Sequence, residues 1–143
     1  MKKYYFVISV ILFVVDRLMK YLAPSINFEG GFIKFGLFTN YAGAFSLPIV
    51  GIAYNFIGIA LVVIFVFFFF KEFKIKSYSL ELIAYSLIIL GGISNLFDRI
   101  VFGYVIDYIN IIDKSFFNLA DGMILAGIGI FITAQFIKRK ISS

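Results

Sequence analysis

The chain has 143 residues, of which 62% are hydrophobic and 15% charged, and its mean hydropathy is +1.03. A domain this small has too little polar surface to cover so much apolar side chain, which excludes a water-soluble globular protein and points to one that lives in lipid. The absence of Cys and His removes thiol nucleophiles, Ser–His triads and imidazole metal sites. The net charge of +5 sits in clusters beside apolar runs, where anionic headgroups attract it, so no nucleic-acid partner is implied.

Four apolar runs, near 4–23, 49–70, 79–98 and 117–137, each have the ~20 residues that a hydrocarbon core of ~30 Å requires. The expected fold is an all-α polytopic membrane protein, one integral membrane domain over 1–143 with four transmembrane helices. The first run opens Met1-Lys2-Lys3 like a signal peptide, but Asp16, Arg17 and Lys20 interrupt it and no small-x-small cleavage site follows, so it is expected to be an uncleaved span. Asp16 and Lys20 have the spacing of an internal helical ion pair; a neutralised pair snorkelling to the interface is the plainer alternative. Pro24 then stops the helix, and glycines at 30, 31, 36 and 43 punctuate aromatic-rich extended pieces up to residue 48. This predicts a small twisted sheet, a β-cradle between spans one and two on the outer membrane surface.

The third run ends with Asn95 and Asp98, and the fourth begins with Asn118 and Asp121. The repeated Asn-x-x-Asp spacing puts each pair on one helix face, where each asparagine can hold a neighbouring carboxylate or a substrate backbone. Between them VFGYVIDYINIIDKS is strand-like, with Gly103 as its turn and Asp107 near its centre. Plainer uses exist for some of these acids: Asp98 beside Arg99 has the form of an interfacial anchor pair, and Asp121 favours a helix N-terminus. Asp113 beside Lys114, and Glu29, Glu72 and Glu81, read as solvated. The cations Lys2 and Lys3, then Lys71, Lys74 and Lys76, then Lys138, Arg139 and Lys140 fall on one side of a chain that crosses four times. Both termini are therefore expected in the cytoplasm, with 24–48 and 99–116 outside.

A carboxylate at bilayer depth costs roughly 2.5–3.5 kcal/mol on insertion scales, so a chain that keeps several there is expected to use them. Two close aspartates cannot both ionise and so share a proton; one can activate water while the other donates to a substrate carbonyl, which hydrolyses an amide without metal or cofactor. Elimination leaves one other option, a Ser–Lys pair. Lys20, Lys34 and Lys114 are the available lysines, but Ser46 and Ser94 have no partner at useful spacing.

The segments DRLMK (16–20), NYAGAFSL (40–47), LGGISNLFDRIVFGYVIDYI (90–109) and FNLADGMILAG (117–127) together resemble the ordered motif blocks of the lipoprotein signal peptidases, or signal peptidase II family. The resemblance covers most of the chain and implies a four-span bacterial aspartyl protease. Such an enzyme removes the signal peptide from diacylglyceryl-modified prolipoproteins, cutting before the lipidated cysteine at the outer face of the cytoplasmic membrane. Carried over, Asp107 and Asp121 match the catalytic pair, and Asp16, Lys20, Asn40, Asn95, Asp98, Arg99 and Asn118 match positions that shape or support the site. The implied partners are lipidated prolipoproteins and membrane lipid, with no metal or cofactor and a monomeric state. Small residues are exchanged in Asn40-Tyr41-Ala42-Gly43-Ala44-Phe45, Ser94 stands where the family usually has Gly, and the connection from Asp107 to Asp121 is shorter than is common. Two other classes compete: a proton-coupled transporter or channel lined by Asp98, Asp107 and Asp121, and an assembly subunit packed through glycines 122, 127 and 129. The first conflicts with acids gathered toward one face, the second with the repeated Asn-x-x-Asp pairs.

Overall fold

The computed structural model describes residues 2–41, 52–75, 79–112 and 115–142. Its elements, in chain order, are α1 (Lys2–Leu22), β1 (Phe28–Glu29), β2 (Ile33–Asn40), α2 (Ile52–Ile75), α3 (Leu80–Phe102), β3 (Val105–Ile111), β4 (Ser115–Phe117) and α4 (Leu119–Ser142). Residues 42–47 of the NYAGAFSL block, Ser46 with them, and the Asp113-Lys114 pair lie outside the described residues.

The helix ends have local causes. Pro24 falls in a 3-10 turn, Ala23–Ser25, that closes α1. The Ser79 hydroxyl accepts the Leu82 amide at 3.3 Å and caps α3. At its other end α3 runs past the expected residue 98 to Phe102, where Gly103 adopts φ 83° and returns its amide to the Arg99 carbonyl. A left-handed stop of this kind favours glycine, which accounts for the turn read from the sequence at that position.

Among the described residues, three helices are long and apolar enough to cross a membrane, over Asn55–Ile75, Leu80–Phe102 and Leu119–Ile141. Helix α1 is interrupted by Asp16, Arg17 and Lys20, yet its polarity is inverted relative to a soluble helix. Ser9, Asp16 and Lys20 are buried against the other helices, while Val7, Ile11, Val14 and Leu18 face outward. Helix α3 lies at the centre, packed against α1, α2 and α4. Its crossing with α4 is close because glycines meet it from both sides: a Cβ on Gly91 would stand 2.6 Å from the Ala120 carbonyl, and one on Gly127 2.8 Å from that of Ala84.

The strands form one antiparallel sheet in the order β1-β2-β3-β4. This corrects the expected cradle, which was placed between spans one and two: among the described residues β1 and β2 come from there, while β3 and β4 come from the α3–α4 connection. Strand β2 needs a partner for its backbone groups, and β3 supplies it. The register sets Phe38 opposite Asp107 and Asn40 opposite Val105, after an irregularity between Phe35 and Phe38. Beneath the sheet, Ala23, Ile106 and Tyr108 form a buried apolar cluster with Met19, Tyr104, Ile109 and Leu119 packed on it.

Candidate active site

The site stands where β3, the start of α4 and the adjacent ends of α1 and α3 converge. Alternation along β3 sends Ile106 and Tyr108 into the apolar cluster and Asp107 to the opposite face. There Asp107 accepts the Asn40 amide at 3.0 Å and the Asn118 amide at 2.7 Å, one on each carboxylate oxygen. Asp121 accepts the Asn95 amide at 2.8 Å and the Asn118 backbone amide at 3.2 Å. Asn118 thus holds both carboxylates, by its side chain and by its main chain. Its side-chain oxygen also accepts the Asp121 backbone amide at 2.9 Å, completing a reciprocal capping box at the start of α4. The modest role of Asp121 at a helix N-terminus therefore coexists with its placement beside Asp107.

Behind the asparagines lies a buried charge network. Lys20 is 3.2 Å from Asp16 and 2.8 Å from Asp98, and it donates to the Asn95 oxygen at 2.8 Å. Asn95 therefore connects the ammonium to Asp121. Arg17 pairs with Asp98 at 2.5 Å and covers the Phe97 ring at 4.5 Å. Asp16 also accepts the Ser94 hydroxyl at 2.6 Å, the Tyr108 hydroxyl at 3.1 Å and the Ala120 amide at 3.1 Å. With two anions, two cations and this many donors, the cluster is balanced in a place where an unpaired charge would be very costly.

Burial is the largest influence on Asp107 and raises its pKa to about 6; the Asn40 and Asn118 donors and the Lys20 charge oppose the rise, while Asp121 adds to it. Burial and the Asp16 charge push the Tyr108 phenol well above its ordinary value. A carboxyl near 6, beside a second carboxyl, can carry a proton at a pH where soluble aspartates do not.

Of the residues singled out in the sequence, Asp16, Lys20, Asn40, Asn95, Asp98, Asp107, Asn118 and Asp121 fall into one connected set. The Asp16–Lys20 pair does not snorkel, since both residues are no more than 1% exposed. Asp98 is fully buried, not an interfacial anchor, and the guanidinium at 2.5 Å is that of Arg17. Arg99 is half-buried and gives its carbonyl to the stop of α3. The reading of Glu81 as solvated is overturned: it is 3% exposed and pairs with Lys138 of α4. Glu72 is half-buried near the same lysine, whereas Glu29 is exposed as expected.

Arg17, Ser94 and Tyr108 were passed over as site residues. Arg17 is adjacent to Asp16, so a search at four-residue spacing misses it. Ser94 does have a lysine, Lys20 at 3.4 Å, contrary to the sequence expectation. Yet Ser94 is fully buried and its proton is directed at Asp16, so the arrangement does not present a serine nucleophile to a lysine base.

The model of the Signal peptidase (SPase) II family matches residues 8–137. The lipoprotein signal peptidase of Caldicellulosiruptor bescii is 38% identical over 130 residues, covering 87% of this chain and 85% of the relative. That of Thermodesulfovibrio yellowstonii is 33% identical, covering 85% and 87%. Among solved structures, a bacterial membrane enzyme determined by the in meso method at 2.3 Å superposes with a TM-score of 0.83 at 24% identity, covering 97% of this chain and 91% of that one. A second, at 1.9 Å, gives 0.76 at 25% identity, with 92% and 91% covered. The structural likeness concerns the fold; with the family match and the two sequence relatives beside it, the chain belongs to the signal peptidase II family, the lipoprotein signal peptidases.

Proposed function

We propose that the chain is a membrane-embedded aspartyl endopeptidase that removes the signal peptide from diacylglyceryl-modified prolipoproteins, cutting before the lipidated cysteine. The observation that carries the mechanism is the sharing of Asn118 by Asp107 and Asp121. A pair with one proton between them provides a base and an acid together. The ionised carboxylate takes a proton from water as its oxygen attacks the scissile carbonyl, and the protonated one donates to the carbonyl oxygen. The tetrahedral diol then collapses: the C–N bond breaks, the diol returns a proton to one carboxylate, and the other protonates the leaving amine. Asn40, Asn95 and Asn118 keep the carboxylates oriented, and Lys20, Asp16 and Asp98 support that arrangement from behind.

The membrane placement is part of the same proposal. Helix α1 is the fourth crossing, its polar residues turned inward and satisfied, with apolar ones toward lipid. Both termini are cytoplasmic in a bacterial inner membrane, and the sheet lies outside, over a site at the outer ends of α3 and α4. A membrane peptide bond is protected by its helical hydrogen bonds, so the substrate must unwind into such a polar pocket before it is cut. The acyl chains of the substrate stay in lipid against the helices and contribute about 0.8 kcal/mol per buried methylene. The enzyme acts as a monomer and without a cofactor. Purified protein in micelles is incubated with a lipidated prolipoprotein peptide and its unlipidated twin, and products are read by mass spectrometry. Cleavage before the lipidated cysteine alone supports the reading; no cleavage of either, or equal cleavage of both, refutes it.

A further inference from the structure

The hydroxyl of Tyr108 lies on the far side of β3 from the reacting face, 3% exposed, yet it is tied to both catalytic elements. Through its backbone it adjoins Asp107. Through its oxygen it accepts the Leu119 amide at 2.9 Å, in the first turn of the helix that carries Asp121, and it donates to Asp16 at 3.1 Å. The first four amides of a helix have no partner within it. In α4 those of Asn118 and Asp121 are satisfied by the capping box, that of Ala120 by Asp16, and that of Leu119 by Tyr108.

We propose that Tyr108 is a positioning residue for the cleavage reaction, its hydroxyl fixing the Asp107 strand against the first turn of the Asp121 helix. The proposal rests on the aspartyl reading above and adds a member that never meets substrate. Replacement by phenylalanine keeps the ring in the apolar cluster but leaves the Leu119 amide without its acceptor and Asp16 short of one donor. The charged groups that act on the phenol are Asp16 of α1, which accepts its hydrogen bond, and Asp121 of α4. Burial and these carboxylates push the phenol pKa up and keep it neutral throughout the working range, so it serves as a fixed link and takes no part in proton exchange.

The test compares the full chain with Tyr108→Phe, with Leu87→Ala as a packing control on the buried face of α3 two turns before Asn95, and with Asp107→Asn. Steady-state cleavage of a lipidated peptide is measured across pH, with melting temperature and hydrogen exchange at the Leu119 amide. Tyr108→Phe is expected to lower kcat about tenfold by one factor at every pH, with KM unchanged and the Leu119 amide exchanging faster. Leu87→Ala is expected to lower the melting temperature without that loss of kcat. Wild-type kcat in Tyr108→Phe, or an equal loss in Leu87→Ala, overturns the positioning role. If Asp107→Asn is inactive in that same experiment, the protease reading survives such a failure; a native chain that cleaves nothing overturns both.

Discussion

Asn118 does two jobs, and one pair of substitutions separates them. Asn118→Ala removes the side-chain acceptor for the Asp121 amide, an N-cap worth about 1 kcal/mol. It also removes the 2.7 Å donor to Asp107, a charge-assisted bond worth about 1.5–3 kcal/mol. Asn118→Ser keeps a good capping oxygen, but its side chain is too short to reach Asp107. If the Asp107 contact is needed in the transition state, both variants lose turnover by roughly 10- to 150-fold, the second interaction expressed as a rate. Only the alanine variant also melts earlier. The assay is kcat on a lipidated peptide in micelles, paired with thermal unfolding of each variant. Native turnover in Asn118→Ser would show that Asn118 merely caps α4, and the argument for a shared asparagine would collapse.

The remaining expectations use the same assays. A dyad that works with one proton loses kcat/KM as pH rises through its second ionisation, so the alkaline limb should lie near the Asp107 value of about 6. Asn40 donates to Asp107 and lowers its pKa, so Asn40→Ala should move that limb to higher pH; a shift to lower pH contradicts the assignment. Asp16→Asn leaves Lys20 still held by Asp98 but unbalances a buried cluster, and should cost about 3–5 kcal/mol of stability. An unchanged melting curve would show the network to be dispensable. Gly91→Ala should force α4 away from α3 and weaken both activity and melting temperature, whereas Gly129→Ala, with nothing within 4 Å of the added Cβ, should be tolerated. Equal effects of the two would remove the close crossing from the account.

Much of this architecture is legible in the sequence because lipid simplifies the code. Long apolar runs report helices through length alone, and a carboxylate inside one stands out by its cost. The Asn-x-x-Asp repeat was visible for the same reason, although its two copies differ in use: Asn95 reaches across to Asp121, while Asn118 caps its own helix and serves Asp107. Long-range pairing was not legible. Nothing local in VIDYINI says that it lies beside IKFGLFTN, so the sheet was assigned to one connection when it is shared by two. Partner choice at buried charges was hidden too, since Arg17–Asp98 and Glu81–Lys138 join helices distant in sequence. Tyr108 was missed because a tyrosine in an apolar strand reads as core until its hydroxyl is seen to meet Asp16 and the start of α4.

The central claim is that Asp107 and Asp121 perform the cleavage together. Its most direct test is single-turnover cleavage of a lipidated prolipoprotein peptide by Asp107→Asn and Asp121→Asn, each purified in the same micelles and first checked for folding and peptide binding. Because an amide keeps the shape of a carboxylate and loses its proton chemistry, each variant should bind the peptide as the native chain does and release no signal peptide. Cleavage at a native rate by either variant would contradict the dyad.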